Sequence, residues 1–418
     1  MALQTGYARA DIPQSRAEHM LAVAGWAFIF TIKHEDLPAI AEAVPWGRAR
    51  GIEVTAAERG EPGTLVACHA SESYPLRVPG GRDVTVSGLM WVGVHQGHRR
   101  RGLLKEMMAD HFERSLARGE VVSTLFAAEP EIYQRFGYGL ACAALNVTLG
   151  RGVALRELEG AADLRIDLLD ADRERDAPAV AEVLRREGRP GTPMELPDSI
   201  AADLFLDVEN WRDGAERKRI AIVHDELGPA AFATFARKSK WGDGGPSGTT
   251  SVHQWASATA AATHRLFSVV TDLDLTGETS VGNVALDHPL VYLLTNPRSP
   301  LPRRNDNLWV RILDVKRALE GRGYAGDADF TVRIADSQLP GNDGVWRVTI
   351  AGGSALVTRA EEEADFSLSI QELSAAYLGG VTLAELACAG LVTGDSDAIA
   401  AASRALRGEV APVSAINF

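Results

Sequence analysis

Apolar and polar positions first fall into a readable order between residues 40 and 150. Gly51-Ile52-Glu53-Val54-Thr55-Ala56 and Thr64-Leu65-Val66-Ala67-Cys68 have strand composition, with the turn sequence Arg59-Gly60-Glu61-Pro62-Gly63 between them. Val84 to Val94 reads as a longer strand, and Leu103 to Ala117 has the apolar spacing of an amphipathic helix. Val121–Ala127 and Ala141–Leu149 read as two more strands. Strand, loop, helix and strand in this order predict an α/β sheet with a single ligand crevice. The earlier apolar run from Met20 to Phe30 is too short to span a bilayer, and it predicts a buried helix or strand.

A charged stretch, Arg151 to Asp176, opens a second unit of similar plan. Pro178–Glu187 predicts a helix with its proline in the first turn, Lys218–Val223 a strand, Lys238–Thr250 an exposed loop and Ala258–Val270 a helix. Leu308–Leu319 begins a third unit. Strands are expected there at 328–335, 344–350, 355–359 and 364–370, with helices at 370–377, 382–389 and 396–406. A small sheet covered by helices fits this order. The expected boundaries are 1–150, 151–304 and 305–418.

Composition narrows the class. A chain of 418 residues has room for two or three domains. A net charge of −13 argues against a nucleic-acid partner and is compatible with a cationic small molecule, as it is with ordinary solubility. Three widely spaced cysteines, Cys68, Cys142 and Cys388, suit a reducing compartment. With no N-terminal signal pattern or membrane span, the expected location is the cytoplasm.

The chemistry concentrates in Trp91-Val92-Gly93-Val94-His95-Gln96-Gly97-His98-Arg99-Arg100-Arg101-Gly102-Leu103-Leu104. A strand leads through a basic loop into a helix, so backbone N–H groups and a helix N-terminus converge on one point, which suits phosphate. Gly102 permits close approach of the backbone, and the arginines add charge and bidentate hydrogen bonding. The pattern resembles the acyl-CoA loop of GCN5-related N-acetyltransferases, R/Q-x-x-G-x-G/A, departing from it at Leu104. A second stretch, Ile132-Tyr133-Gln134-Arg135-Phe136-Gly137-Tyr138-Gly139, is similar to the segment that packs beside the thiol end of coenzyme A in that fold.

With Leu308-Trp309-Val310-Arg311, Asp314-Val315 and the terminal Phe418, the whole chain resembles the Eis-type (enhanced intracellular survival) N-acetyltransferases. The resemblance implies an α/β (α+β) architecture of two GNAT domains, the second degenerate, followed by a sterol-carrier-protein-like domain, commonly as a homo-hexamer. It implies acetyl-CoA as acetyl donor; the residues themselves give no reason to expect a metal, a nucleic-acid partner or a membrane partner. Arg99, Arg100, Gly102, Leu103 and Leu104 would hold the pyrophosphate, and the backbone of Val92 and Val94 would pair with the pantetheine arm. Tyr133 would be the general acid, with Tyr138 the competing phenol. The α-carboxylate of Phe418 would be the general base. His95 and His98, three residues apart, lack a third ligand for a metal, so His98 is expected to fix the loop.

The acceptor implied is a cationic amine, an aminoglycoside or a polyamine. Protein lysine acetylation and lipid carriage by the third unit are the alternatives. Trp26, Phe28 and Phe30 either line the acceptor pocket or pack in a core, and Trp91 lies over the acetyl group or fills the sheet.

Overall fold

The computed structural model describes residues 3–418. The first unit holds β1 (Tyr7–Asp11), α1 (Ala17–Phe28), α2 (Leu37–Glu42), β2 (Arg50–Val54), β3 (Leu65–Val78), β4 (Arg82–Val94), α3 (Leu103–Ala117), β5 (Val122–Leu125), α4 (Pro130–Gln134) and β6 (Gly139–Leu140). The second holds β7 (Ala143–Gly150), β8 (Arg165–Asp170), α5 (Arg173–Glu187), α6 (Asp198–Phe205), β9 (Arg219–Asp225), β10 (Gly228–Lys238), the hairpin β11 (Trp241–Gly242) and β12 (Gly245–Pro246), β13 (Gly248–Ser257), α7 (Ala260–Val270), β14 (Thr276–Ala285), α8 (Pro289–Leu293) and β15 (Arg303–Asp306). Then come β16 (Trp309–Ile312), α9 (Val315–Gly321), β17 (Ala328–Ala335), β18 (Gly344–Ala351), β19 (Ser354–Arg359), β20 (Phe366–Ser369), α10 (Ile370–Ala376), α11 (Leu383–Cys388), β21 (Thr393–Gly394) and α12 (Ser396–Leu406).

The sheets do not respect the boundaries expected from sequence. The first runs β1-β2-β3-β4-β5-β16-β6 and the second β15-β7-β14-β13-β10-β9-β8. Residues 143–150, placed in the first unit by their apolar pattern, pair with β14 and β15 of the second sheet. Residues 309–312, expected to open the third unit, pair with β5 and β6 of the first. Strand composition announces a strand but not its partner, and both exchanges pair segments far apart in sequence. The three units are thereby stitched together by backbone hydrogen bonds.

Two local expectations also shift. The helix expected from Pro178 begins at Arg173, because the side chain of Asp172 accepts the Arg175 N–H at 2.9 Å and caps it. Pro178 therefore lies inside the helix and forgoes one hydrogen bond. The run Met20–Phe30 lies mostly on α1, which buries Met20, Leu21, Val23 and Ala24, while Trp26 and Phe28 stay exposed.

The second unit repeats the parallel strand pair, β13 with β14, joined through α7. Its helix N-terminus is closed by its own Thr259, whose hydroxyl accepts the Ala262 N–H at 3.1 Å. The third unit packs β19-β18-β17-β20-β21 against α9 to α12. Among its apolar residues (Leu319, Phe330, Val348, Phe366 and Leu406 among them) about 10 Å³ is left to the centre of a water-sized molecule. This is far below the several hundred Å³ of a typical ligand pocket, and these side chains form a filled core.

Candidate functional site

The site begins where two parallel strands part. β4 pairs with β5 only over Val86–Gly88 against Val122–Thr124. Trp91 sits at φ +56, and the register of β3 on β4 shifts between Cys68 and Ala70. Beyond Gly88 the edge of β4 that faces β5 therefore has backbone groups without a ladder partner. Val92 and Val94 on this edge line a cavity of about 620 Å³.

Gly102, at φ +78, starts α3 without a side-chain cap, and its carbonyl accepts Glu106 N–H at 3.1 Å. The next three amides, those of Leu103, Leu104 and Lys105, have no acceptor within the helix. All three residues line the cavity, as do Arg99 and Arg100. A Cβ on Gly102 would meet nothing within 4 Å, so what the position requires is the left-handed backbone rather than space.

Arg101 is turned away. It donates to Tyr7 Oη at 2.5 Å, and that hydroxyl lies 3.0 Å from His98 Nδ1. Burial, then Arg101 and His95, push His98 below the usual imidazole range. His95 Nδ1 accepts the Gly97 N–H at 3.2 Å. Both histidines are thus engaged in shaping the loop, and His98 also lines the cavity.

The opposite wall carries Tyr133, on the short helix α4 that Pro130 opens. Burial, with Glu129 adding to it, pushes the Tyr133 phenol up to about 12. Its carbonyl accepts Phe136 N–H at 2.9 Å, which folds the chain back after the helix. Tyr138 stands edge-on to it at 5.9 Å but is fully buried. The Tyr138 hydroxyl is 2.7 Å from Ser123 Oγ, which is in turn 2.8 Å from His111 Nε2. Tyr138 is therefore committed to an internal network, and Tyr133 is the phenol that faces the cavity.

Phe418 arrives from the far end of the chain along a built path. Ala411 N–H donates to Asp287 Oδ2 at 2.8 Å, and Arg189 grips Ala411 O at 2.8 Å. Val413 N–H reaches Pro190 O at 2.9 Å, and Asn307 exchanges two hydrogen bonds with the backbone of Ser414, at 2.7 and 3.1 Å. Asn417 is held by Asn283 and Gln254 of the second unit. The Phe418 ring then lies over Gly88, edge-on to Tyr74 at 5.5 Å and to Phe126 at 5.2 Å. Gly88 is where β4 and β5 part, so the chain's last residue sits at the apex of the fork.

Eight of the nine expected site residues line one cavity, and Phe418 lies beside it at the fork. Phe28 joins that lining, while Phe30 packs edge-on to Trp91 at 6.4 Å and against Trp211 at 5.2 Å. Phe30 and Trp26 also border a second, open cavity of about 760 Å³, so neither they nor Phe28 is simply core. Gln338 went unread. It belongs to the third unit yet lines the first unit's cavity, and the only hint was a gap between two strands too long for a tight hairpin.

A strand fork opening onto a glycine-led helix N-terminus defines a GNAT acyltransferase. Family models agree: residues 34–141 and 203–312 each match an acetyltransferase (GNAT) domain, and 315–415 a sterol carrier protein domain. The chain is 34% identical over 361 residues to an N-acetyltransferase of Streptomyces coelicolor, covering 84% of this chain and 86% of that one. It is 29% identical over 356 residues to the N-acetyltransferase Eis of Mycobacterium tuberculosis, covering 82% and 83%. The crystal structure of Eis1 from Mycobacterium abscessus superposes with a TM-score of 0.80 at 26% identity, over 98% of this chain and 100% of that one. The chain belongs to the Eis-like N-acetyltransferases. GNAT acetyltransferases use acetyl-CoA, and the cavity suits it: three amides and a strand edge that are unpaired among the described residues, for phosphates and an amide-bearing arm, and two arginines for phosphates.

Proposed function

We propose that the chain moves the acetyl group of acetyl-CoA to a primary amine of a polycationic small molecule, a polyamine or an aminoglycoside. Tyr133 is the general acid and the α-carboxylate of Phe418 the general base. Acetyl-CoA supplies the thioester carbonyl that the amine attacks. The backbone of Val92 and Val94 orients the pantetheine arm as an added strand would, and an N–H there polarises the carbonyl.

An amine of pKa about 10.4 costs roughly 4–5 kcal/mol to deprotonate at pH 7. A carboxylate near 3.5 cannot take that proton outright; it holds the ammonium and receives the proton, through water, as nitrogen becomes acidic on bonding to carbon. Tyr133 at about 12 is a weaker acid than a thiol near 8.5, by roughly 5 kcal/mol. Its fitting role is to hold a hydrogen bond to the departing sulfur and to pass the proton only as charge develops there.

The observation that carries this reading is the position of Phe418 at the apex of the β4–β5 fork, reached along an ordered path rather than as a frayed end. Thiol release from acetyl-CoA, measured with spermidine, an aminoglycoside and a lysine peptide, tests it on the intact chain and on one lacking only Phe418. Small-amine turnover that collapses without Phe418 supports both acceptor and base. Turnover confined to the peptide replaces the acceptor class, and turnover that survives the deletion removes Phe418 as the base.

A further inference from the structure

The third unit reaches into the acyl-donor cavity through the turn between β17 and β18. Asp336, which opens the turn, is buried and accepts the N–H groups of Gln338 and Leu339 at 3.0 and 3.1 Å. Its other oxygen accepts Asn342 Nδ2 at 3.0 Å, and Asn342 is itself tied to the backbone of Leu313 and Val315. Leu339 packs into the apolar cluster that holds Leu103, Phe136 and Tyr138. Gln338 is the residue left over. Among the described residues its carboxamide has one weak contact, to Ser337 Oγ at 3.4 Å, and it lines the cavity with Tyr133 and the basic loop.

Arg311 joins this turn to the opposite wall. It is fully buried on β16 and donates to both oxygens of Asp336 at 2.8 Å. Through Nε it also donates to Phe136 O at 2.7 Å, three residues past Tyr133. Gly137, at φ +86, leaves room for it, since a Cβ there would come within 2.8 Å of that nitrogen. One guanidinium thus sets the spacing between the Tyr133 segment and the Gln338 turn.

We propose that the 336–342 turn is part of the acyl-CoA site: Gln338 hydrogen-bonds the bound coenzyme through its carboxamide, and Asp336 and Arg311 are the residues that position it. The inference rests on the reading of the cavity as the coenzyme site. A carboxamide offers two donors and an acceptor, which matches the neutral amides of a pantetheine arm better than the phosphates already served by Arg99, Arg100 and the free amides of α3.

Calorimetric titration with coenzyme A decides the matter without turnover. Q338A should weaken coenzyme A about three- to ten-fold, the worth of one neutral hydrogen bond. Wild-type affinity in Q338A overturns the proposal, whereas a wild-type protein that binds no coenzyme A overturns the reading of the cavity instead. For the positioning residues, D336N should weaken coenzyme A, and adding Q338A to it should weaken binding little further; additive losses would deny Asp336 its role. If D336N strands Arg311 and fails to fold, R311M/D336N removes both charges together and carries the same comparison.

Discussion

Gly88 is bare where Phe418 places its ring: a Cβ built on Gly88 would lie 2.7 Å from Phe418 Cε2 and 2.8 Å from the Tyr74 ring. Tyr74 cannot give way easily, because it is buried and its hydroxyl is 2.8 Å from Thr124 Oγ1. The terminal ring must therefore move. G88A is expected to lower acetyl transfer on the order of 10- to 100-fold, the scale of an ångström's misplacement at a reacting centre. Coenzyme A affinity should stay near wild type, because the basic loop is untouched. Equal turnover in G88A and wild type would show that the position of Phe418 is irrelevant to the reaction.

The two phenols should separate cleanly. Y133F is expected to cut turnover roughly 10²-fold or more while binding coenzyme A nearly as well as wild type. Y138F should leave the chemical step largely intact and cost about 1–2 kcal/mol of stability, since it strips the hydroxyl from the Ser123–His111 network. Steady-state kinetics and denaturant unfolding of the two variants check this, and a Y138F that loses turnover without losing stability would exchange their roles.

What was legible in the sequence was what is contiguous. The basic loop and the Ile132–Gly139 segment carry their geometry within a dozen residues, and α3 runs over the same residues that its apolar spacing predicts. β3 reads as ending near Cys68 but continues to Val78. Ser71, Glu72 and Ser73 break its apolar run, although that stretch pairs with Ser87–Leu89 at the fork. The exchange of β7 and β16 between sheets was illegible for a different reason, as neither the eight residues of β7 nor the four of β16 carry anything that names their partner strand. The role proposed for Phe418 came from resemblance alone. Its path depends on Asp287, Asn307, Asn283 and Gln254, which bear no sequence relation to one another.

One carboxyl makes stability fall as pH rises. Burial pushes Glu187, beside Thr192 on the path of the terminal segment, up to about 7. An unfolded glutamate titrates near 4.3, so the folded chain keeps a proton that the unfolded chain releases. Its stabilising contribution is complete below about 4.3 and is lost as pH climbs through about 7. E187Q cannot ionise, so its melting temperature relative to wild type should increase between pH 5 and pH 8. A difference that stays constant over that range would mean Glu187 is not held protonated by the fold.

Arg322 presents the harder test, because it is fully buried and no carboxylate pairs with it among the described residues. Its donors go instead to backbone: Gly323 O at 3.1 Å, Ala376 O at 3.4 Å, Tyr377 O at 2.5 Å and Leu406 O at 2.5 Å. Three of these carbonyls stand at the C-terminal ends of α10 and α12, where a helix leaves its acceptors unpaired and its dipole negative. Tyr324 and Tyr377 add ring faces at 5.0 and 5.9 Å. R322M should therefore cost about 3–5 kcal/mol, most of it from stranded carbonyls rather than a lost attraction. R322K keeps the charge but loses the planar fork that spans two helix ends, so it should recover only part of the stability. Leu406 is also where α12 ends and the path to Phe418 begins. R322K is thus expected to bind coenzyme A normally yet turn over more slowly, because it frees the root of the terminal segment while leaving the donor cavity intact. Wild-type turnover in a folded R322K would confine Arg322 to stability and leave the placement of Phe418 to the contacts from Asp287 onward.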